Sequence, residues 1–161
     1  MKTLSIVLAI TALSFAPKKL PDLNEKIIKY VDSVMGTKVD RGECWDLAAG
    51  ALAYSEAYFD RSSMKTITTY GRRLNPDKEE ILPGDLIQFE GVLLKWKENN
   101  TTFSESMGQH TAIVYKVNAP KNYEIAHQNT SSWGKKVGVS TFRLDRMQKG
   151  KVFIYRPIKE K

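Results

Sequence analysis

From Asp22 to Val34 the apolar residues Leu23, Ile27, Ile28, Val31 and Val34 recur every three to four positions, and Met35 follows. This period predicts an amphipathic helix, with Asp22 placed to cap its start and Gly36 to end it. A loop over Thr37–Gly42 leads to a second helical pattern, in which Cys44, Leu47, Ala48, Ala51, Leu52 and Ser55 fall on one face. Its Ala and Gly residues permit close packing, so this helix is expected at the centre of the fold. From Thr66 onward the period shortens. The runs TITTYG, DLIQFEG, VLLKW, HTAIVYKV, YEIAHQN, VGVSTFRL and KVFIYRP are rich in β-branched and aromatic residues and are separated by Gly, Pro and Asn. They predict five to seven antiparallel strands. GRRLNPDKEEILPG and KENNTTFSESMGQ read as loops, the second as one wall of a cleft before His110. Helices followed by strands define an α+β fold, with an antiparallel sheet packed on the Cys44 helix.

The first sixteen residues, MKTLSIVLAITALSFA, have one charge at Lys2, an apolar run and small residues Ser14 and Ala16 around Phe15. That is the layout of a cleavable secretory signal, and the run is short for a membrane span, which needs roughly 20 residues. The expectation is cleavage after Ala16, a mature domain over 17–161, no transmembrane segment after cleavage, and a secreted or periplasmic protein. With 161 residues, 42% of them hydrophobic, the chain suffices for one core, and a monomer is expected. The net charge is +7, and loss of Lys2 with the signal leaves the protein basic. Its Lys residues are scattered and no nucleic-acid motif is present, so the charge reads as a solvated face rather than a nucleic-acid footprint.

Cysteine usage changes the picture. An exported domain of this size often staples itself with paired cysteines, yet Cys44 is the only one. It is an inert buried residue, an intermolecular link or a reactive thiol. Its place at a helix start favours the last, because the helix dipole and a nearby imidazolium stabilise thiolate. Free N–H groups of the first turn can also serve as an oxyanion hole.

The only two histidines, His110 and His127, open and close what reads as one hairpin. With a four-residue turn over Asn118–Lys121, Val117 pairs with Asn122, Ala112 with His127 and His110 with Asn129. His110 and His127 then share a face on a diagonal of roughly 7 Å, where one imidazole can bond another. A one-residue slip would separate them. His110 would act as base toward the thiol and then as acid toward the leaving amine. His127, or Asn129 as the second choice, would orient it. Trp45 and Asp46 read as an aromatic packed beside the active helix and an acid favourable in its first turn. Cys44, His110 and His127 suit zinc by type, but no ligand-spaced pair is present and no metal or cofactor is expected. The sequons at Asn100 and Asn129 are assigned no role.

GECWDLA, LPGDLIQF, GQHTAIVYKV and IAHQN together resemble the successive motifs of the NlpC-like and CHAP cysteine amidohydrolases, a papain-related superfamily, over Gly42 to Asn129. The superfamily's nucleophile at a helix start, Pro-Gly-Asp turn, strand-opening His and polar residue on the next strand match Cys44, Pro83–Asp85, His110 and His127. The resemblance implies a papain-like fold with a partly barrel-like sheet and a Cys-His-His triad. It also implies hydrolysis of an amide bond through an acyl-enzyme, commonly in peptidoglycan. Trp45 stands where these families often have a small residue, and the segment before His110 is longer than a minimal member needs. Two other functions use the same scaffold. One is a non-catalytic module that binds a peptide or glycan. The other is an amidase or acyltransferase for lipid or small-molecule amides, with Trp96 or Trp133 lining its pocket.

Overall fold

A computed structural model describes residues 19–63 and 66–159. The expected secretory signal falls on residues 1–16, outside the described residues. Two helices, α1 (Asp22–Val34) and α2 (Cys44–Ser55), precede six strands: β1 (Arg72–Leu74), β2 (Leu86–Glu98), β3 (Thr101–Ala119), β4 (Asn122–His127), β5 (Gly138–Arg143) and β6 (Met147–Arg156). The strands form one antiparallel sheet in the order β1-β6-β2-β3-β4-β5. No described helix is long and apolar enough to cross a membrane.

Both helices form over the expected residues. Leu23, Ile27 and Val31 of α1 and Leu47, Ala48, Ala51 and Leu52 of α2 bury one face each. These faces meet Tyr70, Leu86, Ile113, Ala126 and Tyr155 from the sheet in one apolar cluster. The N-cap of α1 is Pro21, not Asp22, which instead sits in the first turn where its charge favours the dipole. Gly50 of α2 lies directly against α1: a Cβ there would come 2.2 Å from the Tyr30 hydroxyl.

A second apolar cluster covers the opposite face of the sheet and includes Ile87, Phe89, Val114, Tyr123, Phe142 and Ile154. Phe89 on β2 and Phe142 on β5 are three strands apart, a separation of roughly 14 Å in a flat sheet. Their ring centroids are nonetheless 5.0 Å apart. The sheet therefore curls strongly around this cluster, which gives the partly barrel-like form implied by the sequence motifs.

Three segments differ from the sequence reading. TITTYG is not a strand. Thr66–Thr68 form a short 3-10 turn, and Tyr70 is the part of the run that enters the core. The loop-like GRRLNPDKEEILPG supplies edge strand β1 at Arg72–Leu74, which pairs with β6. The expected cleft loop before His110 is a hairpin: Glu98 pairs with Thr101 across Asn99 and Asn100, both with positive φ. Two successive left-handed residues make the tight turn that matches strand twist, and Asn tolerates that conformation better than most residues.

The LPGD turn does more than redirect the chain. Asp85 is fully buried, and its carboxylate accepts from Arg156 Nε (3.0 Å) and Nη2 (2.8 Å), from Asn24 Nδ2 (2.9 Å) and from the Leu82 N–H (2.8 Å). One side chain thus joins α1, the turn into β2 and the end of β6. Gly84, at φ 86°, lies against α1, where a Cβ would come within 2.6 Å of the Asn24 carbonyl oxygen. Asp85→Ala removes the carboxylate bonded to the part-buried Arg156 guanidinium and one of the two acceptors of the Asn24 amide, so urea denaturation is expected to show a loss of about 3 kcal/mol. Exposed Asp22→Ala should change stability by less than about 0.5 kcal/mol.

Candidate active site

Cys44 begins α2, and the loop before it is fastened to the sheet by the residue that follows His127. Gln128 is fully buried. Its Oε1 accepts from the Val39 N–H (3.1 Å), and its Nε2 donates to the Val39 (3.0 Å) and Glu43 (2.8 Å) carbonyls. The end of β4 therefore fixes where α2 starts. Asp46 is buried and reaches back to accept from the Glu43 N–H (3.0 Å), and it also binds Arg41. A carboxylate in the first turn bonded to the N-cap N–H is half of a capping box. Trp45 donates from Nε1 to the Ile67 carbonyl (2.7 Å) and packs on Phe59. It braces the helix start against the 3-10 turn.

The two histidines meet on the sheet. His110 Nε2 and His127 Nδ1 are 3.0 Å apart, and His127 Nε2 lies 2.9 Å from Ser140 Oγ on β5. The hairpin that brings them together is not the one the sequence suggested. Its turn is two residues, Pro120 and Lys121, between Ala119 and Asn122, and two register shifts follow, between Val117 and Ala119 and between Val114 and Lys116. Beyond them Ile113 pairs with Ala126. That is the register expected at the histidines, because the two irregularities restore what the shorter turn removes. β4 ends at His127, so Asn129 does not pair with His110. It adopts a left-handed conformation (φ 60°), and its amide donates to the Glu43 carboxylate at 2.6 Å.

Cys44 is partly buried. Its thiol meets the backbone and hydroxyl of Thr111 and the backbone of Trp45. Thr111 turns to the α2 side of the sheet, where it meets Tyr70, whereas His110, one residue earlier on the strand, lies beside Phe89 on the face of the second cluster. The sequence led us to expect thiol and imidazole to meet; among the described residues no hydrogen bond joins Cys44 to either ring. Thr111 is held in turn by the Tyr70 hydroxyl (2.9 Å) and by Gln88 Oε1 (2.8 Å), a buried polar group behind the thiol. Burial pushes the Cys44 thiol up from its ordinary value, against the opposing pull of these hydrogen bonds. Burial likewise pushes His110 down to about 4, and burial and then the charge of His110 push His127 down to about 4. The expected thiolate-imidazolium pair is therefore replaced in the resting site by a thiol and neutral imidazoles. Desolvation outweighs the helix dipole here.

With both rings neutral the row of bonds can run in either direction, since Ser140 Oγ can accept or donate. If His110 Nε2–H donates to His127 Nδ1, then His127 Nε2–H donates to Ser140 Oγ, and His110 Nδ1 is left as a free base. Ser140, Gln128 and Thr111 carried no motif in the sequence. The only signal for Gln128 was its place directly after His127.

A cleft of about 330 Å³ opens beside the rings. It is lined by Glu105–His110, His127 and Asn129–Ser131. Neither Trp96 nor Trp133 lines it: Trp96 stacks on Phe103 along the hairpin, and Trp133 lies against Gly138.

Two helices packed on a curled six-stranded antiparallel sheet, with the thiol at the start of the second helix, define a papain-like cysteine proteinase fold. Residues 21–161 match the AIM3/BBC1 cysteine proteinase-fold domain, and the chain belongs to that family. It is 27% identical over 148 residues to altered inheritance of mitochondria protein 3 of Debaryomyces hansenii, an alignment covering 83% of this chain and 16% of that protein. Two solved structures share the fold. Ly7917, with the hydrolysing product of MDP, superposes at a TM-score of 0.53 with 16% identity, over 83% of this chain and 62% of its own. NlpC2 from Trichomonas vaginalis superposes at 0.51 with 17% identity, over 87% and 49%.

Two measurements check this geometry. Gln128→Leu keeps the volume but leaves the Val39 N–H and two carbonyls unpaired, so a loss of about 2 kcal/mol is expected, with faster amide exchange over residues 39–44. The second concerns pH. Below pH 6.5 the unfolded chain binds protons that the folded rings refuse, so stability is full above 6.5 and falls as pH drops toward 4. The loss is on the order of 3 kcal/mol for each ring by pH 4, and urea midpoints of His127→Gln should fall less steeply over that range than those of wild type.

Proposed function

We propose that the domain is a thiol-dependent amide hydrolase, with Cys44 as nucleophile, His110 as general base and acid, and His127 with Ser140 as the positioning pair. The observation that carries this reading is the hydrogen-bonded row of His110, His127 and Ser140 in a cysteine proteinase-fold domain; the reading assigns the protons to Nε2 of both rings, which leaves Nδ1 of His110 as the base. The thiol lies beside Thr111, on the other face of β3 from the His110 ring, so the reading requires the start of α2 and His110 to close on each other when substrate binds.

With substrate bound, the Cys44 Sγ–H proton passes to His110 Nδ1 as sulfur bonds to the scissile carbonyl carbon. Negative charge moves to the carbonyl oxygen, where the first-turn N–H groups of α2 can stabilise it. The C–N bond then breaks and the amine leaves with the proton from His110, giving a thioester. Water, deprotonated by the same nitrogen, attacks the thioester carbon. The carboxylic acid departs and Cys44 regains its proton. A buried neutral base suits this sequence, because it takes the proton only as charge develops on sulfur.

A peptide amide is the proposed substrate class, and a cell-wall peptide is the first to assay, as the sequence motifs imply; the fold is shared with Ly7917, whose structure holds the hydrolysing product of MDP. A non-catalytic peptide-binding module is favoured by one observation, the burial that keeps the thiol protonated. Digestion of purified peptidoglycan and of a peptide library, followed by mass spectrometry, separates the two. The hydrolase reading expects new amine ends from wild type, none from Cys44→Ala, roughly a thousand-fold slower release from His110→Ala and roughly a hundred-fold from His127→Ala. Equal fragments from wild type and Cys44→Ala would remove Cys44 from the reaction.

A further inference from the structure

The hairpin before His110 leaves one edge of β3 uncovered. β2 pairs with one edge of β3 from Thr101 to Ile113, but β4 covers the other edge only from Ile113 to Ala119. Among the described residues no strand pairs with the other edge of Thr101–Gln109, and that edge runs directly into His110. Five consecutive residues, Glu105 to Gln109, line the cleft beside the histidines. Successive side chains of a strand point to opposite faces. A cleft touched by five in a row therefore meets the strand at its edge, where the backbone N–H and C=O groups are.

Open edges are usually short or defended by Lys, Pro or inward charge. The two terminal strands obey this rule: β1 is three residues with two arginines, and β5 ends in Arg143. Thr101–Gln109 contains neither Lys nor Pro and is almost wholly exposed. An undefended edge leading into a reaction centre has the form of a strand-addition site, in which main-chain bonds hold an extended peptide and side-chain positions select it.

Charge identifies the peptide. Glu105 lies opposite Leu94, and its neighbour two residues on, Met107, packs on the apolar cluster whose Phe89 touches the His110 ring. Glu105 takes part in no ion pair among the described residues. Farther along the hairpin Arg146 lies over Trp96 and reaches Glu98 at 3.5 Å, so that cation is already engaged. On a chain of net charge +7, one unpaired carboxylate at the mouth of the cleft is a local exception.

We propose that the Thr101–Gln109 edge of β3 binds an extended peptide by strand addition, with a Lys or Arg side chain of the peptide against Glu105, and directs it toward His110. This deepens the hydrolase reading by naming how its substrate docks and which side chain it carries, and it rests on that reading only for the fate of the docked peptide. The test uses Cys44→Ala, which retains bound peptide, and acetylated hexapeptide amides with Lys, norleucine or Glu at each position in turn. The Lys series should bind at least ten-fold more tightly than norleucine at one position, Glu105→Gln should remove that preference, and backbone N-methylation of the peptide at alternate residues should abolish binding. Amide exchange of Thr101–Gln109 should slow on binding. Binding without charge preference, binding unaffected by N-methylation, or protection confined to other segments would overturn the proposal. Peptides that bind as expected but are never cleaved by wild type would leave docking intact and count against the hydrolase. Cleavage that ignores Lys and Glu105→Gln would do the reverse.

Discussion

The Gln128 side chain carries the constraint on which the site depends. Helix α2 brings the thiol and the sheet brings the imidazoles, and apolar packing between them can tolerate small sliding motions. Three hydrogen bonds from one fully buried amide to Val39 and Glu43 cannot. Because Gln128 directly follows His127, the strand that presents the second ring also sets where α2 starts. Asn129 and Lys135 extend the tie by bonding the Glu43 carboxylate. A buried amide satisfied on both its oxygen and its nitrogen specifies one arrangement, since any other leaves polar atoms unpaired.

Burial supplies the second half of the design. The same packing that fixes the rings also strips them of water, which holds both imidazoles neutral and keeps the thiol protonated. The resting site therefore stores no ion pair. Its polarity lies in the hydrogen-bonded row of His110, His127 and Ser140, and in the polar group of Tyr70, Thr111 and Gln88 behind the sulfur. The membership of the AIM3/BBC1 cysteine proteinase-fold family is consistent with a scaffold built around this meeting of helix and sheet.

Much of this was legible in the sequence, for identifiable reasons. The 3.6-residue period of Leu23, Ile27 and Val31 and the small-residue face of α2 located both helices, and the order of helix and strand patterns gave the fold class. The pairing of His110 with His127 was legible because strand residues alternate faces, although the supposed four-residue turn was wrong. Two β-bulges absorbed the difference, and bulges have no reliable sequence mark. The hairpin from Lys97 to Gln109 was hidden because Asn, Thr and Ser tracts look like loop, and only the left-handed pair Asn99–Asn100 makes them a turn between strands. Gln128, Ser140 and Asp85 were hidden for another reason. Each acts through partners far along the chain, and long-range hydrogen bonding leaves no local pattern.

Nitrogen-15 NMR of the histidine side chains, recorded before and after blocking Cys44 with methyl methanethiosulfonate, tests the central claim most directly. The account predicts that both rings carry their proton on Nε2 and stay neutral well below pH 6.5, and that blocking the thiol shifts Nδ1 of His110 far more than either nitrogen of His127. Rings protonated on Nδ1, titration near pH 6.5, or a His110 resonance indifferent to the state of Cys44 would contradict it.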